Sequence, residues 1–252
     1  MNMEEDIKIL IRFPNKEMTA KEYIQFSKKI LQQLKAFSDD FKTLYAWGSE
    51  VNAGKYLKDD LSDFESTVFE QLNDKEIAYM NPDKSNKNFT LDSKCFIGYS
   101  NTYSTNKDYK LDKISITIGA GKDKAKKEDV GILNFQFSKS LQHKLNLSKL
   151  IELLEFCIDL VNPVYAIISS FKFTNKVNKE DDNIEIGWIT YIDNKGVANL
   201  LPKDIGKKIF PNGSVVFWLS KEKALSTDDK AVEKAIQIRN ILGEKGLLNY
   251  PS

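Results

Sequence analysis

The sequence predicts an α+β protein with mixed or antiparallel β-sheet and about three main helices. Three observations support this fold class. Short segments alternate apolar and polar residues, longer segments repeat apolar residues at helical spacing, and the strand-like segments occur in groups. The main helices are expected near residues 19–37, 147–161 and 227–242.

The first elements are predicted from an alternating segment and an amphipathic one. Asp6–Phe13 places its isoleucines on one face of a strand and Lys8, Leu10 and Arg12 on the other. Thr19 and Glu22 then have the spacing of a capping box, which begins a helix. Its apolar stripe consists of Tyr23, Phe26, Ile30, Leu34 and Phe37. The aromatic, β-prone segment 41–47 (FKTLYAW) is expected to be the next strand.

The middle of the sequence predicts a second helix, a loop and three strands. Apolar residues line one side of a helix from about Asp60 to Leu72, and the polar segment Asn73–Asn88 is expected to be a loop. The strands are expected at about Phe89–Tyr99, Lys113–Gly119 and Val130–Phe137. The segment GAGKDKAKKED between the last two is typical of a hairpin connection.

The last part of the sequence predicts two helices and three more strands. Ser148–Val161 is apolar over most of its circumference, which indicates a buried helix, and Asn162-Pro163 ends it. The strands are expected at Val164–Ser169, Ile184–Ile192 and Ser214–Leu219. Ser226 or Thr227 begins the final helix, because Asp228 and Asp229 suit the positive end of the helix dipole.

The 252 residues are expected to form a single α+β domain, residues 1–252. Segments 7–47 and 132–169 both have the order strand, helix, strand. Two interpretations stay open. Either the chain consists of two duplicated halves, about 5–125 and 126–252, or the match is the coincidence that any α+β protein can give.

Composition excludes several classes of function. The chain has 37 Lys and Arg residues and 36 Asp and Glu residues, so its formal net charge is +1. This balance disfavours binding to nucleic acid. Two cysteines and one histidine are too few for the common zinc sites. We therefore expect no metal, no cofactor and no catalytic residue. The sequence also lacks a secretory signal and an apolar stretch of about 20 residues, which predicts a cytoplasmic protein without a membrane partner.

The residues that resemble catalytic motifs have simpler interpretations. Gly119 and Gly121 begin like a nucleotide-binding motif, but the third glycine is missing and a strand follows instead of a helix. His143 has no partner residues nearby in the sequence and is expected at the surface. Cys95 and Cys157 lie in apolar patterns and are expected in the core.

The best candidates for contact with a partner are acidic and aromatic residues. Glu180, Asp181 and Asp182 occupy a lysine-balanced loop that suits electrostatic steering better than metal binding. Tyr191 falls on the more polar face of its alternating strand, and Trp218 lies in a strand of which one face is less covered. Acidic residues can steer association, and tryptophan and tyrosine are enriched at binding hot spots. We therefore expect these five residues to contact a partner.

Two aromatic segments resemble a known family. They are TAKEYIQFSKKILQQLKAFSDDFKTLYAW, and GWITYIDNKGVANLLPKDIGKKIFPNGSVVFWLS, in which a Gly-Trp-Ile-Thr-Tyr strand precedes a Leu-Pro segment. This pattern is similar to that of the immunity-protein-52 family of bacterial polymorphic-toxin systems, over about residues 5–245. The resemblance implies an α+β fold, no catalytic residues, and neutralisation of a cognate toxin that is often delivered by type VI secretion.

The predicted function is therefore stoichiometric inhibition of a cognate toxin in the cytoplasm. Two alternatives stay open. A secretion adaptor or chaperone would bind several effectors, and a carboxylate-dependent hydrolase would show turnover.

Overall fold

The computed structural model describes residues 5–47, 54–72, 89–108, 110–126 and 128–250. The chain divides into two compact units. The middle unit is Pro14–Phe135, and the terminal unit combines Met1–Phe13 with Gln136–Ser252. The N-terminal strand therefore belongs with the C-terminal half of the sequence.

The chain is an α+β protein, as predicted, with ten strands in open antiparallel β-sheet and six helices within the described ranges. The strands are β1 Ile7–Pro14, β2 Leu44–Trp47, β3 Lys55–Leu57, β4 Tyr99–Ser104, β5 Ile114–Ala120, β6 Val130–Phe137, β7 Tyr165–Ser170, β8 Ile189–Ile192, β9 Gly206–Ile209 and β10 Val215–Trp218. The helices are α1 Ala20–Phe37, α2 Phe64–Leu72, α3 Lys139–Gln142, α4 Leu147–Val161, α5 Phe171–Val177 and α6 Asp229–Glu244. The three predicted main helices correspond to α1, α4 and α6 and are confirmed.

In the middle unit the strands have the order β3-β2-β4-β5-β6, and α1 and α2 pack on one face of them. Tyr23 of α1 donates a hydrogen bond to the Ile118 carbonyl at 2.8 Å, and Phe64 of α2 stacks on Tyr103 at 5.8 Å. The predicted capping box is present, since Thr19 and Glu22 each bond the other's backbone N–H. Through these contacts, the two helices and the face of the sheet beneath them form one core.

In the terminal unit the strand order is β1-β7-β8-β10-β9. The alternation predicted for β1 is confirmed, because Ile7, Ile9 and Ile11 are at most 1% exposed while the residues between them are half-buried. Antiparallel pairing sets Ile9 opposite Ile168 and Arg12 opposite Tyr165. Strands β7 and β8 are buried along their whole length, so this part of the sheet is covered on both faces.

Three predicted strands are wrong in extent. Of the segment 41–47, only Leu44–Trp47 is strand, because Asp39–Phe41 forms a 3₁₀ turn. Most of the segment 89–99 forms turns and bridges, and β4 begins only at Tyr99. Gly98 causes the change, because its φ of +88° suits a turn and the Cys95 carbonyl accepts its N–H at 3.0 Å. Of the segment predicted as 184–192, only Ile189–Ile192 is strand. Earlier residues form other hydrogen bonds: the Ile184 N–H donates to the Leu248 carbonyl at 2.9 Å, and the Ile186 N–H donates to Asn178 Oδ1 at 2.7 Å.

The order of elements does not show the proposed duplication. After α1 the chain continues with β2, β3, α2, β4 and β5, whereas after α4 it continues with β7, α5, β8, β9, β10 and α6. The sequence did not predict β3, β9, α3 or α5. Ser170 begins α5, because its hydroxyl accepts the Phe173 N–H at 3.1 Å. The loop predicted at residues 73–88 lies outside the described residues.

A buried carboxylate organises the polar contacts of the terminal unit. Glu5 is only 6% exposed, and its carboxylate accepts hydrogen bonds from the Ser170 hydroxyl and from both the hydroxyl and the N–H of Ser226. Lys223 Nζ donates to the Glu5 carbonyl at 2.9 Å and to Gln142 Oε1 at 3.0 Å. Burial raises the pKa of Glu5, but the bonds from Ser170 and Ser226 together outweigh burial and hold this pKa below its ordinary value of 4.5.

Replacing this carboxylate should destabilise the fold in a pH-dependent way. Because the folded-state pKa is lowered, the stabilisation is present above the ordinary value and is lost as pH falls through the folded-state pKa. We expect Glu5→Gln to lower the free energy of unfolding at neutral pH by about 1–3 kcal/mol. Urea denaturation of both proteins measures this difference at neutral and at acidic pH.

The matched control is Glu233→Gln, which changes an exposed carboxylate on α6 and should leave the free energy of unfolding unchanged. Equal losses in the two variants, or a Glu5→Gln effect that persists in acid, would contradict the assigned role of Glu5.

Candidate functional site

The acids predicted to contact a partner lie together in one closed turn, Lys179–Asp182, which we call the acidic turn. The Lys179 N–H donates to Asp182 Oδ2 at 2.9 Å, and the Asp182 N–H donates to the Lys179 carbonyl at 3.2 Å. Glu180 and Asp181 are exposed. Asp182 thus holds the turn closed, while the other two carboxylates face solvent.

Hydrogen bonds on both sides fix the acidic turn to the terminal unit. On one side, the Asn178 amide donates to the carbonyls of Thr174 and Ile186 at 3.0 and 3.1 Å. On the other side, the N–H groups of Asn183 and Ile184 both donate to the Leu248 carbonyl, at 3.1 and 2.9 Å. The loop is therefore anchored, so less conformational entropy is lost when it binds a partner.

A small cleft of about 220 Å³ lies between the acidic turn and the C-terminal end of α6. Its walls carry both signs of charge: Lys179 and Asp182 come from the turn, and Arg239 and Glu244 come from the helix. Pockets for small molecules measure about 300–1,000 Å³, so this cleft is smaller than an ordinary small-molecule site. Its size and mixed charge suit one side chain of a partner protein.

Glu185 lies just after the acidic turn, and its surroundings shift the pKa of its carboxyl group. Burial raises the pKa of this half-buried carboxyl, the Arg12 guanidinium lowers it, and Asp182 raises it, so the pKa stays above the ordinary value of 4.5. Glu185 was not among the candidate residues predicted from the sequence. A signal did exist, because Arg12 is one of only two arginines in the chain, but only the fold brings it close to Glu185.

The structure does not place Tyr191 at the surface. Its exposed fraction is 0%, and its ring contacts Phe210 edge-on with the centroids 6.0 Å apart. The alternation along this segment predicted a polar face, and this prediction is wrong because β8 is covered on both faces. In the free chain Tyr191 is a core residue.

Trp218 ends β10 and is half-buried. It lies opposite Ile189 of β8 and Gly206 of β9. A Cβ atom at Gly206 would come within 2.2 Å of the indole nitrogen, so glycine leaves the space that the ring occupies. Trp218 faces the same side of the sheet as Tyr191 but is only half-buried. The acidic turn belongs to a different segment of the chain.

The groups considered for catalysis and metal binding are placed as follows. His143 is exposed at the end of α3, and burial raises the pKa of the Cys95 and Cys157 thiols, which disfavours the reactive thiolate. Among the residues that the structure describes, no three His, Cys, Asp or Glu are grouped to hold a metal ion. Within the same ranges, no helix combines the length and the apolar character needed to span a membrane.

Comparison with known proteins gives a similarity of fold. No family model matches the sequence, and no curated protein matches it. The structure is similar to that of the Pseudomonas aeruginosa T6SS protein PA0821, with a TM-score of 0.51 and 12% sequence identity. The match covers 97% of this chain and 73% of that protein. The fold thus resembles that of a protein associated with type VI secretion.

The influence of Arg12 on Glu185 is directly testable. We expect Arg12→Gln to raise the pKa of Glu185 further above 4.5, because the change removes the positive charge that lowers it. A ¹³C NMR titration of the glutamate carboxyl groups measures this shift. Lys230→Gln, at an exposed residue of α6, is the matched control. A Glu185 titration that is the same in both variants would contradict the interaction.

Proposed function

We propose that the chain is an immunity protein, which binds a cognate bacterial toxin tightly in the cytoplasm and inhibits it stoichiometrically. The observation that carries this proposal is the fold shared over 97% of the chain with a T6SS protein. The resemblance of its aromatic segments to immunity protein 52 supports the same function. The exposed, anchored carboxylates suit a protein that binds a partner and catalyses no reaction.

The acidic turn supplies the electrostatic part of the proposed interaction. Glu180 and Asp181 are exposed on a turn whose backbone is already fixed. Such charges accelerate association with a basic surface and contribute little to the lifetime of the complex. Trp218 is the proposed aromatic contact because it is only half-buried. Tyr191 is not included, because it is buried.

The alternatives differ from this proposal in what can be measured. A secretion adaptor binds several effectors with similar affinity, whereas an immunity protein binds one toxin tightly. A hydrolase that uses carboxylates changes its substrate repeatedly, and the raised pKa of Glu185 is the one feature here that such an enzyme could use. We propose a binding function because the fold resembles that of a T6SS protein and the exposed acids suit contact with a partner.

Protection of cells is the first test. Co-expression with the toxin encoded by the neighbouring gene should restore growth, and the purified pair should bind with a dissociation constant below about 1 μM, or roughly −8 kcal/mol. His143→Ala should protect equally well, because inhibition by binding needs no general base. Failure to bind or neutralise that toxin contradicts the proposal, and loss of protection by folded His143→Ala favours an enzyme.

The acidic turn should act mainly on the rate of association. We expect the double variant Glu180→Gln, Asp181→Asn to bind the toxin about 3- to 10-fold more slowly at low ionic strength, with dissociation unchanged. At about 1 M salt, where charges are screened beyond about 3 Å, the difference should disappear. Stopped-flow mixing measures both rates. Asp182 is left intact because it closes the turn.

The matched control is Glu233→Gln, which removes an exposed charge from a different surface of the terminal unit. The interface assignment would be refuted by equal association rates for the double variant and wild type at low salt. The functional class would remain, because another surface could then bind the toxin.

A further inference from the structure

Residues 247–250, which we call the strap, leave the end of α6 in a fixed direction. The backbone changes course at Gly246, whose φ of +67° lies in the left-handed region that glycine adopts readily. The N–H of Gly246 donates to the Gly243 carbonyl at 2.9 Å, and the N–H of Leu247 donates to the Leu242 carbonyl at 2.9 Å. These hydrogen bonds determine where the strap begins.

Two side chains anchor the strap to the terminal unit. Leu248 is only 5% exposed and lies against the last turn of α6, since a Cβ atom at Gly243 would come within 3.5 Å of its Cδ1 atom. The half-buried ring of Tyr250 stacks on Tyr165 of β7, with the centroids 6.0 Å and the planes 28° apart. This separation lies in the range that aromatic pairs prefer. The strap is therefore held by α6 at one end and by the sheet at the other.

Between these anchors, the strap holds the two residues that follow the acidic turn. The Leu248 carbonyl accepts the N–H groups of both Asn183 and Ile184. The side-chain amide of Asn183 also donates to Asn249 Oδ1 at 3.2 Å. Because Asn183 directly follows Asp182, the position of the strap determines where this end of the acidic turn lies.

The loop that contains the acidic turn is also closed at its base. Asn178 bonds Ile186 twice, because its amide donates to the Ile186 carbonyl and its Oδ1 accepts the Ile186 N–H. Without the strap these bonds would still close the loop, but the residues between them would lose the three hydrogen bonds to Leu248 and Asn249. Loss of the strap should therefore loosen the acidic turn and leave the rest of the unit folded.

We propose that the strap positions the acidic turn, so that Glu180 and Asp181 meet the toxin as fixed charges. This inference rests on the proposed function and makes Asn249 and Tyr250 positioning residues. A carboxylate that is held in place keeps its distance to a complementary charge, whereas the field of a moving carboxylate is averaged over many positions. A loosened strap should thus weaken the steering of association without removing any charge.

Amide hydrogen exchange of the purified full chain tests the hold of the strap without any toxin. We expect Tyr250→Ala to speed exchange of the Asn183 and Ile184 N–H groups about 10-fold or more, because local opening governs exchange. Tyr250→Phe keeps the stacked ring and should exchange like wild type. Exchange at Ile167 and Ile168 of β7, which pairs with strands on both sides, should stay slow in each protein. Unchanged exchange at Asn183 and Ile184 in Tyr250→Ala would overturn the proposal.

A second variant tests the strap without changing a ring. Asn249→Ala changes an exposed residue and removes the acceptor of the Asn183 side-chain amide. We expect exchange of the Asn183 N–H to become about 2-fold faster or more, a smaller effect because the Leu248 carbonyl still accepts it. If Tyr250→Ala does not fold, this variant decides, and exchange at the wild-type rate would overturn the proposal.

Binding to the purified toxin encoded by the neighbouring gene tests the positioning role. At low ionic strength we expect Tyr250→Ala to slow association about 2-fold or more, and the difference should vanish at about 1 M salt. The same change in the Glu180→Gln, Asp181→Asn background should have no further effect, because the strap acts through these two carboxylates. Equal slowing in both backgrounds would show a merely structural effect and would overturn the proposal.

The remaining outcomes separate this inference from the proposed function. If wild type binds the toxin and Tyr250→Ala associates at the wild-type rate, the strap does not position the acidic turn and the proposed function stands. If wild type neither binds nor neutralises the toxin, both fail, even where hydrogen exchange shows that the strap holds the turn.

Discussion

The pairing register of β1 and β7 is the constraint on which the terminal unit depends. Ile9 opposite Ile168 puts one row of isoleucines in the core, and Arg12 then lies opposite Tyr165. A slip of one residue would exchange the two faces, so that Lys8 and Arg12 would point into the core. Burial of three isoleucines to 1% exposure or less makes that exchange strongly unfavourable. The same register delivers Glu5 to Ser170, where the buried carboxylate also reaches Ser226.

The acidic turn is fixed by hydrogen bonds while two of its carboxylates are left exposed. The Asn178 side-chain amide and the Leu248 carbonyl hold it in place on its two sides. A fixed turn suits tight binding because the ordering entropy is lost on folding and not on association. The charge of the acidic turn is expected to act on the rate of association.

The elements predicted correctly are those whose signal is local and repeated. The capping box at Thr19, the periodicity of α1, α4 and α6 and the alternation of β1 depend on neighbouring residues only. Sequence could not show that β8 is covered on both faces, and this coverage removes Tyr191 from the surface. It also could not show that Asn178 would take the backbone bonds of Ile186, which shortens a predicted strand. The exposure of Glu180 and Asp181 could be predicted because both lie in a charged loop, and their contact with a partner stays a prediction. Arg12 and Glu185 come together only through the fold.

The central claim is inhibition by stoichiometric binding, and a titration of purified toxin with this chain tests it most directly. The toxin concentration is set well above the dissociation constant. Toxin activity should then fall linearly with the amount of chain added and reach zero at about one equivalent, because each bound chain removes one toxin molecule. The result should not depend on the time of preincubation once binding is complete. Loss of activity at a small fraction of an equivalent, progressing with time, would instead require turnover and would contradict the account.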